Sequence, residues 1–136
     1  MNRYSRTAMG FMLASAFMLR AGPAMAADAE SVVQQQLDAY NAQDLDAHCA
    51  HFTDDVVVAG LNGDVARTGI KAYRAWYEAA FAQFPNNKAK LLNRIVVGAN
   101  VIDHEHVDRG NGDAPFQVAA IYTFRGDKIA RVDFAR

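Results

Sequence analysis

The sequence is poor in cysteine and in the short motifs that mark the common enzyme classes. Cys49 is the only cysteine among 136 residues, so no internal disulfide can form, and we expect Cys49 to be a buried apolar residue. The sequence has no glycine-rich nucleotide loop, no serine-nucleophile motif and no paired-cysteine redox motif. Nucleotide-dependent, serine-hydrolase and thiol-redox enzymes are therefore disfavoured, and no cofactor is predicted.

One apolar run stands near the N-terminus. A short basic start is followed by the apolar residues 8–19, and Ala24-Met25-Ala26 has the A-x-A form of a cleavage site. This arrangement is typical of a secretory signal peptide. The run is shorter than the roughly 20 residues that span a bilayer, and Arg20 interrupts it, so no stable membrane anchor is expected after cleavage. We predict a signal peptide at residues 1–26 and a single periplasmic or secreted domain at residues 27–136.

The charge balance of the predicted mature chain is acidic. Cleavage would remove three of the 14 basic residues and none of the 15 acidic ones, which leaves a net charge of −4. Nucleic acids and anionic lipids are bound by basic surfaces, so neither is predicted as a partner. A domain of this size buries only a modest core, and we expect it to form a homodimer.

Apolar residues recur at helical spacing in the first half of the predicted domain. The helices predicted from this spacing are residues 31–42, 44–52 and 68–84, with Asp44 as the N-cap of the second. Residues 56–58 form a short predicted strand, and Asn62-Gly63-Asp64 a turn.

The second half of the domain is rich in β-branched and aromatic residues. Four strands are predicted, at residues 88–98, 100–109, 115–124 and 128–135. Short connections that contain glycine predict antiparallel hairpins between them. Three N-terminal helices packed on a strongly curved antiparallel sheet make an α+β domain. Helices against one face of such a sheet leave a conical cavity that suits a small ligand.

Several phrases of the sequence, taken in order, resemble one superfamily. They are Asn41 to Ala47 (NAQDLDA), Phe52 to Val56 (FTDDV), Thr68-Gly69 with Tyr73 and Trp76-Tyr77, and Phe124 to Val132 (FRGDKIARV). The order is similar to that of the nuclear transport factor 2-like superfamily, which includes SnoaL-like and ketosteroid isomerase-like proteins. The resemblance covers almost all of the predicted mature chain. It implies a cone-shaped, cystatin-like roll around one apolar pocket.

The ketosteroid isomerase mechanism does not carry over to this sequence. Those enzymes use an aspartate base with an oxyanion hole made of a tyrosine and a protonated aspartate. Aligned on the phrases above, the tyrosine falls on Gln36, the base on Gly60 and the donor aspartate on Ala120. Gly60 cannot take a proton and Ala120 cannot donate one. A steroid isomerase-like fold is therefore expected without that chemistry.

The richest polar segment of the sequence is residues 101–108 (VIDHEHVD). On a strand, Asp103 and Glu105 share one face, and His104 and His106 share the other. The sequence leaves open which face points into the cavity. Inward carboxylates would form an acid/base pair with at least one raised pKa, and inward histidines would offer neutral bases or metal ligands. The candidate catalytic residues are Asp103, Glu105 and His104.

His48 and His51 lie three residues apart on the second predicted helix. Zinc sites need three or four ligands, so this pair predicts no metal site, and we expect both histidines at the surface. Gln36 and Tyr77 lie on faces that otherwise bury apolar side chains, and Gln36 is a candidate partner for the Tyr77 hydroxyl. The resemblance also places Tyr77 where the isomerase family has a pocket tyrosine. The predicted ligand-binding residues are Gln36, Tyr40, Trp76, Tyr77, Val118, Tyr122 and Phe134.

Two functions remain open from the sequence. One is a SnoaL-like isomerase, cyclase or hydratase that moves protons on a small apolar organic molecule without a cofactor. The other is a non-catalytic periplasmic module that binds a ligand or dimerises through its sheet. Two titratable groups facing one ligand would favour the enzyme, and a wholly apolar or filled pocket would favour the module.

Overall fold

The structure is a computed structural model that describes the backbone of residues 23–136 and the side chains from residue 28 onward. The predicted signal peptide lies outside the described residues, apart from residues 23–26 at the start of the first helix. No helix of the described chain is both long and apolar enough to cross a membrane.

Three helices occupy the first half of the described chain. They are α1 (Pro23–Ala42), α2 (Leu45–Cys49) and α3 (Ile70–Gln83). The predicted cap of α2 is confirmed, because the Asp44 carboxylate accepts a hydrogen bond from the Ala47 amide at 2.9 Å. Helix α1 begins earlier than the predicted residue 31. Helix α3 follows Gly69, whose φ of 88° is a conformation that favours glycine.

Six strands form one sheet. They are β1 (Phe52–Gly60), β2 (Val65–Thr68), β3 (Lys88–Val97), β4 (Asn100–Asp108), β5 (Phe116–Arg125) and β6 (Lys128–Ala135). Their order across the sheet is β2-β1-β6-β5-β4-β3. The predicted hairpins β3–β4, β4–β5 and β5–β6 are confirmed as antiparallel pairs. Strand β1 pairs in parallel with β6, so the sheet is mixed rather than wholly antiparallel.

The sheet bends around the helices. The register shifts within four of the five strand pairs, and such bulges increase the local twist and bend the strands. Helix α1 packs across β3 and β4, and α3 packs across β1 and β2. The core between them includes Val33, Phe52, Tyr73, Val101 and Ile129. Cys49 is buried beside this core, as predicted. The predicted α+β class, with three helices packed on a curved sheet, is thus confirmed, and the sheet has six strands where five were predicted.

The orientation of β4 settles the question that the sequence left open. Val101, Asp103, Glu105 and Val107 are buried on the inner face, whereas His104 and His106 lie half-buried on the outer face. The two carboxyl groups, not the two histidines, therefore point toward the helices.

Candidate functional site

A cavity of about 400 Å³ opens between the helices and the concave face of the sheet. Its wall is mainly apolar and aromatic, with contributions from all three helices and all strands except β3. The seven residues predicted to bind a ligand all line it: Gln36, Tyr40, Trp76, Tyr77, Val118, Tyr122 and Phe134. A concave apolar site with a few polar groups is the usual form of a small-molecule site.

Glu105 is the only acidic side chain among the described residues that line this cavity. Its side chain comes from the middle of β4, where Val118 of β5 is its cross-strand neighbour. The residue is 6% exposed, and its Oε1 atom has no hydrogen-bond partner within the described chain. The pKa of Glu105 is raised to about 7, mainly by burial and also by the charge of Asp103, while Arg94 acts in the opposite direction. Glu105 can therefore both give and take a proton near neutral pH.

Asp103 is placed differently, although it shares the inner face of β4 with Glu105. Arg94, its cross-strand neighbour on β3, donates from Nε and Nη2 to the two carboxylate oxygens, each at 2.7 Å. Arg94 also donates from Nη1 to Gln34 Oε1 at 3.0 Å. The Asp103 side chain is fully buried and is not part of the cavity wall. It is a structural carboxylate whose two oxygens are both paired with Arg94.

His104 stands on the far side of the sheet from the cavity. Its ring Nε2 is hydrogen-bonded to Gln117 Oε1 of the neighbouring strand β5. Among the three candidate catalytic residues, only Glu105 reaches the cavity.

Gln36 and Tyr122 form a buried polar pair in the cavity wall. Gln36 Nε2 donates to the Tyr122 hydroxyl oxygen at 3.0 Å. The predicted hydrogen bond between Gln36 and Tyr77 is therefore wrong. Since the Tyr122 oxygen accepts from Gln36, the phenolic proton stays available to a ligand. Burial, followed by the charge of Glu105, raises the pKa of Tyr122 well above its usual value. Tyr122 is therefore a neutral hydrogen-bond donor facing the same cavity as Glu105.

The prediction of a surface position is wrong for His48, which is 1% exposed and lines the cavity. Its Nδ1 donates to the Gln36 carbonyl oxygen at 3.1 Å, and its Nε2 accepts from the Tyr73 hydroxyl at 2.9 Å. Burial lowers the pKa of His48 to about 4, so the ring is neutral at physiological pH. His51 is half-buried. Within the described residues, no group of three or more acidic, histidine or cysteine side chains could hold a metal ion.

The family model of the SnoaL-like domain matches residues 33–132. The chain belongs to the SnoaL-like family. It shares 41% identity with an uncharacterised cystatin-fold protein from Novosphingobium aromaticivorans, with a TM-score of 0.75 over 80% of this chain and 97% of that one.

More distant structures show the same fold. A putative polyketide cyclase from Sinorhizobium meliloti is 24% identical, with a TM-score of 0.69 over 81% of this chain and 98% of that one. A putative ketosteroid isomerase from Kribbella flavida is 13% identical, with a TM-score of 0.68 over 79% of this chain and 76% of that one. No curated protein matches the chain.

The three positions aligned with ketosteroid isomerase residues can now be located in this SnoaL-like domain. Gln36 and Gly60 line the cavity, and Ala120 is fully buried beside Asp103 of β4. A Cβ atom at Gly60 would meet nothing within 4 Å, so the wall is open where the isomerases carry their base. The acidic group of this SnoaL-like cavity comes instead from β4.

Sequence reasoning missed His48 and the arginines that line the cavity, which are Arg67, Arg109 and Arg136. The burial of His48 could have been predicted from the sequence, because Leu45, His48 and Phe52 follow one another at the three- and four-residue spacing of a helix face. The arginines had none, since each lies near a strand end where an exposed side chain is expected.

Proposed function

We propose that this SnoaL-like protein is a cofactor-independent acid/base enzyme of the isomerase or cyclase kind, acting on a small, mainly apolar organic molecule. The observation that carries the proposal is the buried carboxyl of Glu105, which faces an apolar cavity and whose Oε1 has no hydrogen-bond partner among the described residues. A buried polar atom without a partner lowers stability, and a bound substrate would supply the missing partner.

Proton transfer would begin with the ionised form of Glu105. The carboxylate removes a proton from a carbon next to a substrate carbonyl, and the electron pair of that C–H bond moves toward the carbonyl oxygen. The Tyr122 hydroxyl donates a hydrogen bond to the oxygen as negative charge develops there. Protonated Glu105 then returns the proton to another carbon, which completes an isomerisation. A pKa of about 7 suits both halves of this cycle.

The rest of the wall would bind and orient the substrate. Tyr40 and Tyr77 meet edge to face with ring centroids 6.0 Å apart, and both line the cavity with Trp76. These aromatic surfaces suit flat, apolar skeletons. Similar folds named as a putative polyketide cyclase and a putative ketosteroid isomerase agree with a substrate that carries a carbonyl group on a carbon skeleton.

The test uses 5-nitrobenzisoxazole, an apolar compound that reports a desolvated carboxylate base. The base removes the ring C–H proton, the C–H electrons form a nitrile, and the N–O bond breaks to release a coloured phenolate. We expect the wild-type protein to accelerate this reaction and Glu105→Gln to lose at least about 100-fold of the rate, which is the usual contribution of a general base. Glu78→Gln is the matched control, because Glu78 is exposed on α3 and lies outside the cavity wall.

Equal rates in the wild-type and Glu105→Gln proteins would contradict the assignment of Glu105. An inert wild-type protein that still binds apolar compounds in the cavity would favour the non-catalytic binding module.

We also propose that the mature domain is exported and forms a homodimer through its sheet. Leu92, Ile95 and Val97 are large apolar residues of the edge strand β3, and they are 40%, 56% and 62% exposed. A self-contact would remove this surface from water. N-terminal sequencing of the protein from a periplasmic fraction should begin at Ala27, and a full-length N-terminus would refute export. Sedimentation should give twice the mature mass, and the mass of one chain would refute the dimer.

A further inference from the structure

The arginines of the described chain fall into two groups. Four of them pair with aspartates, namely Arg74, Arg94, Arg125 and Arg131. The remaining three are Arg67, Arg109 and Arg136, and all three line the cavity. Within the described residues, none of these three has a carboxylate in salt-bridge contact. The unpaired arginines of the described chain therefore all line the cavity.

The fold brings two of the three arginines, Arg109 and Arg136, to one end of the cavity beside Phe116. Arg109 follows the last residue of β4 and Arg136 follows the last residue of β6, while Phe116 begins β5 between them. The Arg109 and Arg136 guanidinium carbons lie 5.4 and 4.6 Å from the centre of the Phe116 ring. Arg67 enters from β2 and lies 4.3 Å from the centre of the Trp76 ring.

Each guanidinium is held by an aromatic face and keeps N–H groups for another partner. Stacking on a ring fixes the plane of a guanidinium without using its in-plane donors, and those donors match a carboxylate or phosphate in two-point contact. Arg109 is further held by donation from Nη1 to Asn87 Oδ1 at 3.1 Å, and Asn87 Nδ2 donates to the Tyr40 hydroxyl at 2.6 Å. Arg109 is therefore positioned before any ligand arrives.

The acidic residues nearest to Arg109 in the sequence accept hydrogen bonds from other groups. Asp108, the last residue of β4, accepts from the Gly110 amide at 2.8 Å, and Asp113 in the following loop accepts from Asn111 Nδ2 at 2.7 Å. Inside the cavity, Glu105 is four residues before Arg109, which is at most about 13 Å of extended strand. Among the described residues, however, Glu105 forms no salt bridge with Arg109 or Arg136, so the cavity has a cationic end at these two arginines and a separate proton-transfer group.

We infer that the ligand is an apolar skeleton that carries an anionic oxygen group, a carboxylate or a phosphate, bound by Arg109 and Arg136. The inference rests on the proposed function, because it takes the cavity to be the substrate site. The anion stays at the cationic end, and the apolar body extends inward to Glu105 and Tyr122. A neutral or cationic molecule of the same shape leaves the guanidiniums without a partner.

The experiment compares three compounds with one ring system, 2-naphthoate, 2-naphthyl phosphate and 2-naphthalenemethanol, by isothermal titration calorimetry. We expect at least one anion to bind about tenfold or more tightly than the alcohol, since hydrogen bonds to charged groups are the stronger ones. The anion that binds more tightly shows whether the site prefers a carboxylate or a phosphate. The preference should shrink when salt is raised from about 0.01 M to about 1 M, because the Debye length falls from about 30 Å to about 3 Å.

The variants separate charge recognition from cavity shape. Arg109→Gln and Arg136→Gln should each weaken binding of the preferred anion about tenfold and leave the alcohol unchanged. Arg125→Gln, which alters an exposed arginine paired with Asp55, should change neither. Equal binding of anions and alcohol, or no anion binding at all, would overturn the inference. If the alcohol alone binds, the proposed function still stands, because the cavity accepts an apolar body without a charge.

Discussion

Replacement of Glu105 by glutamine should make the protein more stable at high pH. Burial raises the pKa of this carboxyl from 4.5 to about 7 in the folded state. The folded protein therefore holds a proton that the unfolded chain releases between these two pH values, so the free energy of unfolding falls as pH rises through this window. Glutamine has the shape of the protonated acid and does not ionise.

The magnitude follows from the pKa difference. A change from 4.5 to about 7 corresponds to about 3 kcal/mol of lost stability once Glu105 is ionised in both states. Glu105→Gln should thus gain up to about 3 kcal/mol over the wild type near pH 8 and less than about 1 kcal/mol near pH 5. The assay is urea unfolding at both pH values, followed by circular dichroism.

The exposed Glu78→Gln change is the control for this experiment, and its effect should be small and the same at both pH values. A Glu105→Gln protein that is no more stable than wild type near pH 8 would refute the reasoning. A gain in stability of equal size at both pH values would also refute it, because such a gain would come from better packing and not from the loss of an ionisable group.

Three further predictions concern the surroundings of Glu105 and the loop that carries Arg109. Arg94→Gln leaves the buried Asp103 without its cationic partner and should lower the free energy of unfolding by about 3–5 kcal/mol. In the same urea assay, the double variant that also carries Asp103→Asn should recover part of this loss. No recovery would contradict the pairing of Arg94 with Asp103. Tyr122→Phe removes the hydrogen-bond donor and should slow proton abstraction from a carbonyl substrate of the enzyme by about 100-fold, whereas 5-nitrobenzisoxazole turnover, which develops no carbonyl oxyanion, should change much less. Gly110→Ala should lower the melting temperature, because φ is +65° and a Cβ atom would lie 2.6 Å from Asn86 Cβ; Gly112→Ala, where φ is +92° and nothing lies within 4 Å, isolates the backbone strain from the steric clash.

The second half of the fold could be predicted from the sequence because its signals are local. Alternating residues and glycine connections define β3 to β6 and their hairpins, and the strand bounds agree with the predicted ones within about two residues. Strand β2 was missed because Val65 and its neighbours are largely exposed, so no buried alternation marks it. The parallel pairing of β1 with β6 joins segments far apart in the chain, and no local pattern specifies it.

The candidate site was predicted only in part, for a related reason. Both faces of β4 carry polar residues, so alternation alone could not orient the strand. The roles of the two carboxyl groups are separated by Arg94 on the neighbouring strand β3, which lies across from Asp103 and neutralises its charge. That contact takes Asp103 out of the cavity wall and leaves Glu105 as its acidic group. His48 was misplaced because histidine is polar, although the hydrogen bonds with Gln36 and Tyr73 satisfy both ring nitrogens in the core.

The pH–rate profile of 5-nitrobenzisoxazole elimination tests the role of Glu105 most directly. If the buried carboxylate is the base, the wild-type rate should rise with pH, reach half of its maximum near pH 7 and then level off, as expected from the raised pKa of Glu105. The Glu105→Gln protein should show only the background reaction across the same range. A wild-type profile without an inflection near pH 7, or the same inflection in Glu105→Gln, would contradict the account.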